Sequence, residues 1–191
     1  MSPLSAIHAA QHHSEGKSMV IVRVPKHDEI SLTTALDAGA AGIVLPHCES
    51  AEEVKAILDE AYYRRSPPQS STTYLLIMIS NTAPIGKRSF SPWTFTPGIS
   101  DTSLYAGDPF NMGTSNRHTC VFAQIESVKG VENVDEIAAL EGVTGLMFGP
   151  GDYMADAGLP LKLSGEPHPT FVAAFGKFVA AGMKHGKPLL G

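Results

Sequence analysis

Four short apolar runs in this 191-residue sequence each end beside a residue able to do chemistry. Arg23 closes the first, His47 follows the second, Gln124 and Glu126 close the third, and Gly149-Pro150-Gly151-Asp152 follows the fourth. Charged groups at strand ends cost desolvation unless they are paired or bind something. Two carboxylates, Glu126 and Asp152, on neighbouring strands suit a hard divalent cation, Mg²⁺ or Mn²⁺, which takes one or two carboxylates and leaves its other positions to water and substrate oxygens. An arginine facing such a cation suits a carboxylate or keto oxygen, and the cation would stabilise an enolate as a Lewis acid. The pattern points to a metal-assisted reaction on a small oxyacid; the competing reading is surface carboxylates without function.

These residues need a scaffold of alternating strands and helices. Met19–Val24 reads as a buried strand, Ile30–Asp37 as a short helix ended by Gly39, and Ala41–Pro46 as the next strand. Ser50-Ala-Glu-Glu53 is a capping box opening a helix to about Tyr62. Thr119–Ile125 is a strand, Asn133-Val-Asp-Glu136 a second cap with Gly142 after its helix, and Val143–Phe148 a strand. Thr170–His185 spaces Phe171, Ala174, Phe175, Phe178 and Met183 as one helix face, with Gly186 at its stop, and Pro188–Leu190 begins a last strand. Alternation of this kind means a parallel sheet with right-handed crossovers, whose chemistry gathers at the carboxyl ends of the strands.

Composition narrows the class. Hydrophobic residues make up 43% and charged residues 17%, a globular balance, and the net charge of -5 offers no basic footprint for nucleic acid. No apolar run approaches a membrane span, the first residues lack a secretory pattern, and two cysteines make no disulfide framework. The expectation is a cytoplasmic protein with a small-molecule substrate and neither nucleic-acid nor membrane partner. Cys48 and Cys120 read as small core residues, and His12 and His13 as a solvated helix end. Ser66–Gly86 has no charge and includes the apolar Tyr74–Ile79, which is either a strand or part of an insertion. Ser89–Arg117 is rich in Gly, Pro, Ser and Asn and reads as a long functional loop.

The stretches Gln124-Ile-Glu126-Ser, Gly130-Val-Glu-Asn-Val-Asp135 and Glu141-Gly-Val-Thr-Gly-Leu-Met-Phe-Gly149-Pro-Gly-Asp152 resemble the HpcH/HpaI aldolase family. Val22-Arg23-Val-Pro25, Ala35-Leu-Asp37-Ala-Gly, Val44-Leu-Pro46-His47 and Ser50-Ala-Glu-Glu53 agree with it. The resemblance covers about residues 18–65 and 86 to the end. It implies a class II pyruvate aldolase on a (β/α)₈ barrel, cleaving the C3–C4 bond of a 4-hydroxy-2-oxo acid to pyruvate and an aldehyde. It also implies a divalent metal (Mg²⁺ or Mn²⁺, or Co²⁺) and a 2-oxo acid substrate. By position, Glu126 and Asp152 resemble the metal ligands, Asp152 having a helix N-cap as its alternative role. Arg23 resembles the residue that contacts the pyruvyl group, and Asp37 the support of a catalytic histidine. Gly149, Pro150 and Gly151 resemble the turn that holds the carboxylate. Arg88, in Gly86-Lys-Arg88-Ser, resembles an arginine at the mouth of the site. His47 is either a substrate contact or a packing residue.

The sequence departs from the family in three places. No Asp-x-Glu-His segment, which carries the family's base, is present, and Ser2-Pro-Leu-Ser5 resembles the residues just after that segment in relatives. Against the ~250 residues of a full barrel, the 191 present match strands 3–7, leaving strands 1, 2 and 8 and the C-terminal helix of the homo-oligomeric family without counterparts. Residues 69–85 separate Pro68 from Gly86 where relatives have a direct connection, and are read as an extraneous insertion, such as an unspliced intron, in one partial barrel domain spanning 1–191. A non-catalytic metal- and keto-acid-binding remnant or truncated gene product is therefore the alternative to an active lyase, and a citrate-lyase-like lyase is the third reading.

Overall fold

The computed structural model describes residues 3–15, 17–63, 86–88, 112–161 and 165–191. Their elements are α1 (Pro3–His13), β1 (Ile21–Arg23), α2 (Glu29–Asp37), β2 (Gly42–Leu45), α3 (Ala51–Ala61), α4 (Met112–His118), β3 (Cys120–Ile125), α5 (Val128–Glu132), α6 (Val134–Ala139), β4 (Gly145–Phe148), α7 (Pro150–Asp156), α8 (Pro169–Lys184) and β5 (Leu189–Leu190). The strands form one sheet in the order β1-β2-β3-β4-β5. Strand order equal to chain order, with a helix in every crossover, is the winding of a βα barrel rather than of an open doubly wound sheet. The α/β class read from the sequence is thus the one observed. Pairing is parallel across β3 and β4, where Gln124 faces Met147 and Ile125 faces Phe148, and across β4 and β5, where Leu146 faces Leu189.

By compactness the chain divides into two units. The first comprises Met1–Val22, Asp28–Ile43 and Leu58–Cys120. Here Asp28 caps α2 by accepting from the Ser31 amide at 3.0 Å, and Gly39 ends it at φ 91°. Leu32, Ala35 and Leu36 of α2 are buried, as is Ile7 of α1, and Gln11 Nε2 donates to the Gly39 carbonyl at 2.8 Å. The long loop expected over Ser89–Arg117 ends in a helix, α4, whose Asn116 side chain both donates to and accepts from the Tyr63 main chain at 2.9 and 2.8 Å. This side-chain pairing holds a segment of poor helix formers. Residues 69–85, Tyr74–Ile79 among them, and 89–111 lie outside the described residues.

The second unit comprises Arg23–His27, Val44–Ile57 and Val121–Gly191. Its core centres on Phe148, whose ring lies 5.1–5.8 Å from those of Tyr153, Phe171, Phe175 and Phe178. Helix α8 buries Ala174, Phe178, Ala181 and Gly182, an i, i+4, i+7, i+8 stripe. Gly182 is small because a Cβ there would lie 2.3 Å from the Leu189 side chain. Met183, expected on the core face, is 77% exposed because it sits one residue round from that stripe.

Two local expectations are corrected. Met19–Val24 is expected as a buried strand, but β1 is only Ile21–Arg23, with Ile21 and Arg23 exposed, because it is the edge strand of the described sheet. Asn133 precedes α6 but makes no side-chain cap, because its amide donates to the Glu49 carbonyl at 2.7 Å. The Ser50 cap is made, its hydroxyl accepting from the Glu53 amide at 3.2 Å. Among the described residues no helix is long and apolar enough to cross a membrane.

Candidate active site

The second unit brings Arg23, His47, Gln124, Glu126 and Gly149 together. Arg23 ends β1, and its exposed guanidinium donates from Nε to Gln124 Oε1 at 3.0 Å. Its Nη2 lies 3.4 Å from Glu126 Oε1. Glu126, one residue beyond β3, is 0% exposed. Its Oε1 also accepts from the His47 amide at 2.9 Å, while the half-exposed His47 ring stands 3.7 Å away through Nε2. The other carboxylate oxygen, Oε2, is buried with no hydrogen-bond partner among the described residues. A carboxylate oxygen left dry and unpaired is costly, and a cation is one group that would satisfy it.

Gly149, the N-cap of α7, explains why this turn comes so close. A Cβ there would lie 2.6 Å from both Glu126 Cβ and Glu126 Oε2 and 3.2 Å from Gln124 Nε2. Pro150 occupies the first turn of α7 and is exposed, and a Cβ on Gly151 would meet nothing within 4 Å. Of the predicted turn, sterics therefore require only Gly149 to be glycine. Asp152 is exposed in the first turn of α7, with no hydrogen bond or ion pair among the described residues. Because Gly149 holds the N-cap place, the N-cap alternative for Asp152 is not what is observed. Among the described residues no three His, Cys, Asp or Glu are grouped to hold a metal ion.

Behind this carboxylate lies a second layer. His47 has a left-handed backbone, φ 47°, sparsely populated by residues with a side chain. Its carbonyl accepts from Lys26 Nζ at 2.8 Å, and Lys26 also pairs with Glu53 at 2.8 Å. His27 Nε2 lies 3.0 Å from the same Glu53 oxygen. Burial pushes the Glu53 carboxyl up, but the hydrogen bond and charge of Lys26, joined by the Glu49 amide and His27, outweigh it and hold it below its ordinary value. Cys48, next in the chain, is buried, and burial pushes its thiol up to about 12. Cys120 is half-buried and is pushed up by the same cause.

Asp37 and Arg88 lie in the first unit and meet each other. The Arg88 side chain is 3% exposed and its Nη2 bonds Asp37 Oδ1, whose side chain keeps 38% of its surface in solvent. The guanidinium also lies over the Tyr63 ring, 4.3 Å from its centroid. Gly86 precedes it with no room for a side chain, since a Cβ would lie 2.2 Å from the Tyr62 carbonyl. Sequence reasoning names Gln124 at a strand end without giving it a role, and does not single out Lys26 or Glu53 as site residues. Gln124, two residues before Glu126 and so on the same strand face, is reachable from the period of two. Nothing in the sequence ties Lys26 to His47.

Comparison with known proteins shows the family and the fold. A crystal structure of macrophomate synthase is 60% identical with a TM-score of 0.79, covering 98% of this chain and 57% of that one. A 4-hydroxy-2-oxovalerate aldolase from Novosphingobium aromaticivorans is 31% identical over 174 residues, covering 87% of this chain and 54% of its own length. A 5-keto-4-deoxy-D-glucarate aldolase from Klebsiella pneumoniae is 29% identical over 171 residues, covering 90% and 56%. The chain thus spans about half the length of the curated relatives it matches. The model of the HpcH/HpaI aldolase/citrate lyase family matches residues 4–190, and the chain belongs to that family.

Proposed function

We propose that this chain carries the metal- and pyruvyl-binding part of a carbon–carbon lyase that cleaves a 4-hydroxy-2-oxo acid to pyruvate and an aldehyde. The observation that carries the reading is the buried, unpartnered Oε2 of Glu126 beside the Arg23 guanidinium. Glu126, joined by Asp152, would hold a divalent cation, Mg²⁺, Mn²⁺ or Co²⁺. Bound there, the cation supplies Lewis acidity toward the oxygens of a 2-oxo acid. Arg23 adds a permanent positive charge where the keto oxygen becomes an enolate oxygen as the C3–C4 bond breaks. Gln124 limits the swing of Arg23 by accepting from its Nε. The Gly149-Pro150-Gly151 backbone is the proposed seat of the substrate carboxylate. For Asp37 and Arg88 the proposed roles are those the family resemblance implies, Arg88 as an arginine at the mouth of an aldolase site and Asp37 as the support of a catalytic histidine.

The test is pyruvate release from a 4-hydroxy-2-oxo acid with Mg²⁺ or Mn²⁺. Metal-dependent release that is lost in Glu126→Ala supports the lyase. Metal binding without turnover supports the remnant reading, since loss of a general base alone costs ~10²–10⁴-fold in rate. The 60% identity to macrophomate synthase favours a second reading, in which the pyruvate enolate is a nucleophile for bond formation. A joined product formed from a 2-oxo acid and an acceptor other than an aldehyde supports this second reading, because addition to an aldehyde is only the lyase reaction run in reverse.

A further inference from the structure

The Glu126 carboxylate is held on one oxygen only, by Arg23 Nη2 at 3.4 Å and more closely by a main-chain amide in a left-handed conformation. The His47 N–H donates to Glu126 Oε1 at 2.9 Å with the residue at φ 47°. That conformation is uncommon for a residue with a side chain, histidine tolerating it better than most, and contacts at both ends of the residue help to hold it. The other end of the residue supplies the constraint: the His47 carbonyl accepts from Lys26 Nζ at 2.8 Å. Lys26 is itself fixed, since Glu53 in the first turn of α3 takes the same ammonium at 2.8 Å and takes His27 at 3.0 Å. A line of contacts thus runs from Glu53 through Lys26 and the His47 main chain to Oε1, and leaves Oε2 as the oxygen presented to a ligand.

We propose that Lys26, anchored by Glu53, is a positioning residue that sets the Glu126 carboxylate for cation binding through the main chain of His47. The proposal rests on the reading of Glu126 as a cation ligand. Lys26 does not touch the ligand, so its effect is indirect. Partners in this outer position cost about 10–100-fold in metal affinity when removed. The sign separates this role from simple electrostatics. Removing a cation near a metal site lowers repulsion and tightens metal binding, whereas removing a positioning group weakens it.

The experiment is titration of the full chain with Mn²⁺ alone, following free Mn²⁺ by electron paramagnetic resonance, with thermal melts confirming that each variant is folded. Lys26→Met is expected to raise the Mn²⁺ dissociation constant about tenfold, with Lys26→Arg recovering most of the loss. Glu53→Gln is expected to weaken binding less, and the double variant no more than Lys26→Met, because both act through one contact. Wild-type binding abolished by Glu126→Gln, together with unchanged or tighter binding in Lys26→Met, overturns the positioning role and leaves the Glu126 reading standing. Wild-type binding that is absent, or unaffected by Glu126→Gln, overturns that reading and this proposal with it. Should Lys26→Met not fold, Glu53→Gln and Lys26→Arg decide, and wild-type affinity in Glu53→Gln overturns the proposal.

Discussion

Each unit of the molecule buries a charge, and the two treat it in opposite ways. In the first, the Arg88 guanidinium is closed over by the Asp37 carboxylate and the Tyr63 ring. In the second, the Glu126 carboxylate is fully buried, yet Oε1 takes the His47 amide and the edge of Arg23 while Oε2 takes nothing. A satisfied buried charge contributes to the fold it sits in. An unsatisfied one is a cost the fold carries, and it makes sense where a ligand completes it. The difference is the reason the proposed ligand site is placed in the second unit.

The contrast is tested most severely at Gly149. Gly149→Ala drives a methyl group into the Glu126 side chain, and Mn²⁺ binding and pyruvate release are expected to vanish, with a stability loss of about 1–3 kcal/mol from overpacking in urea unfolding. Retained metal binding would place the cation away from Oε2. Next comes Asp37→Asn, which leaves the buried Arg88 without its counter-charge. The expected loss is about 1–3 kcal/mol, below the ~3–5 of a fully buried pair because Asp37 keeps solvent contact. An unchanged unfolding midpoint would mean that the Arg88 pair holds nothing together.

Glu126→Gln should do the reverse in the absence of metal. It removes a buried charge whose Oε2 lacks a hydrogen-bond partner among the described residues and keeps an acceptor for the His47 amide, so the protein should gain up to about 1 kcal/mol while losing Mn²⁺ affinity. A marked destabilisation would show that the carboxylate serves the fold. The smallest effect is at Cys48. A thiol pushed up to about 12 by burial is protonated below that pH and ionises only as pH rises toward it, so at pH 8 about one molecule in 10⁴ is thiolate. Disulfide-exchange reagents should leave it intact in wild type and label it once denatured. Faster labelling in Gly149→Ala would show that the disturbance reaches the His47–Cys48 turn.

Much of this is legible in the sequence because it obeys local rules. β-branched runs mark β2, β3 and β4 within two residues at each end, and Ser50 caps α3 as its spacing requires. The residues at strand ends stand out because each closes or succeeds an apolar run, and Arg23 does meet Glu126. The features that escape depend on neighbours distant in the chain. The exposure of β1 comes from its edge position, which no run of its own residues encodes. Helix α4 is held by Asn116 reaching the Tyr63 main chain rather than by propensity. Glu53 reads as half of a capping box, but its carboxylate goes to Lys26 and His27, which local patterning cannot foresee.

The close approach of Gly149 to Glu126 constrains the two positions unequally. A Cβ at position 149 would fall 2.6 Å from the Glu126 Cβ, the same atom that any side chain at 126 but glycine must carry. Relief cannot therefore come from shortening residue 126, and the strand and turn would have to part first. The contact is therefore one-sided: the side chain at 126 can change beyond its Cβ while the turn stays in place, whereas any residue but glycine at 149 requires the turn to move away from the strand.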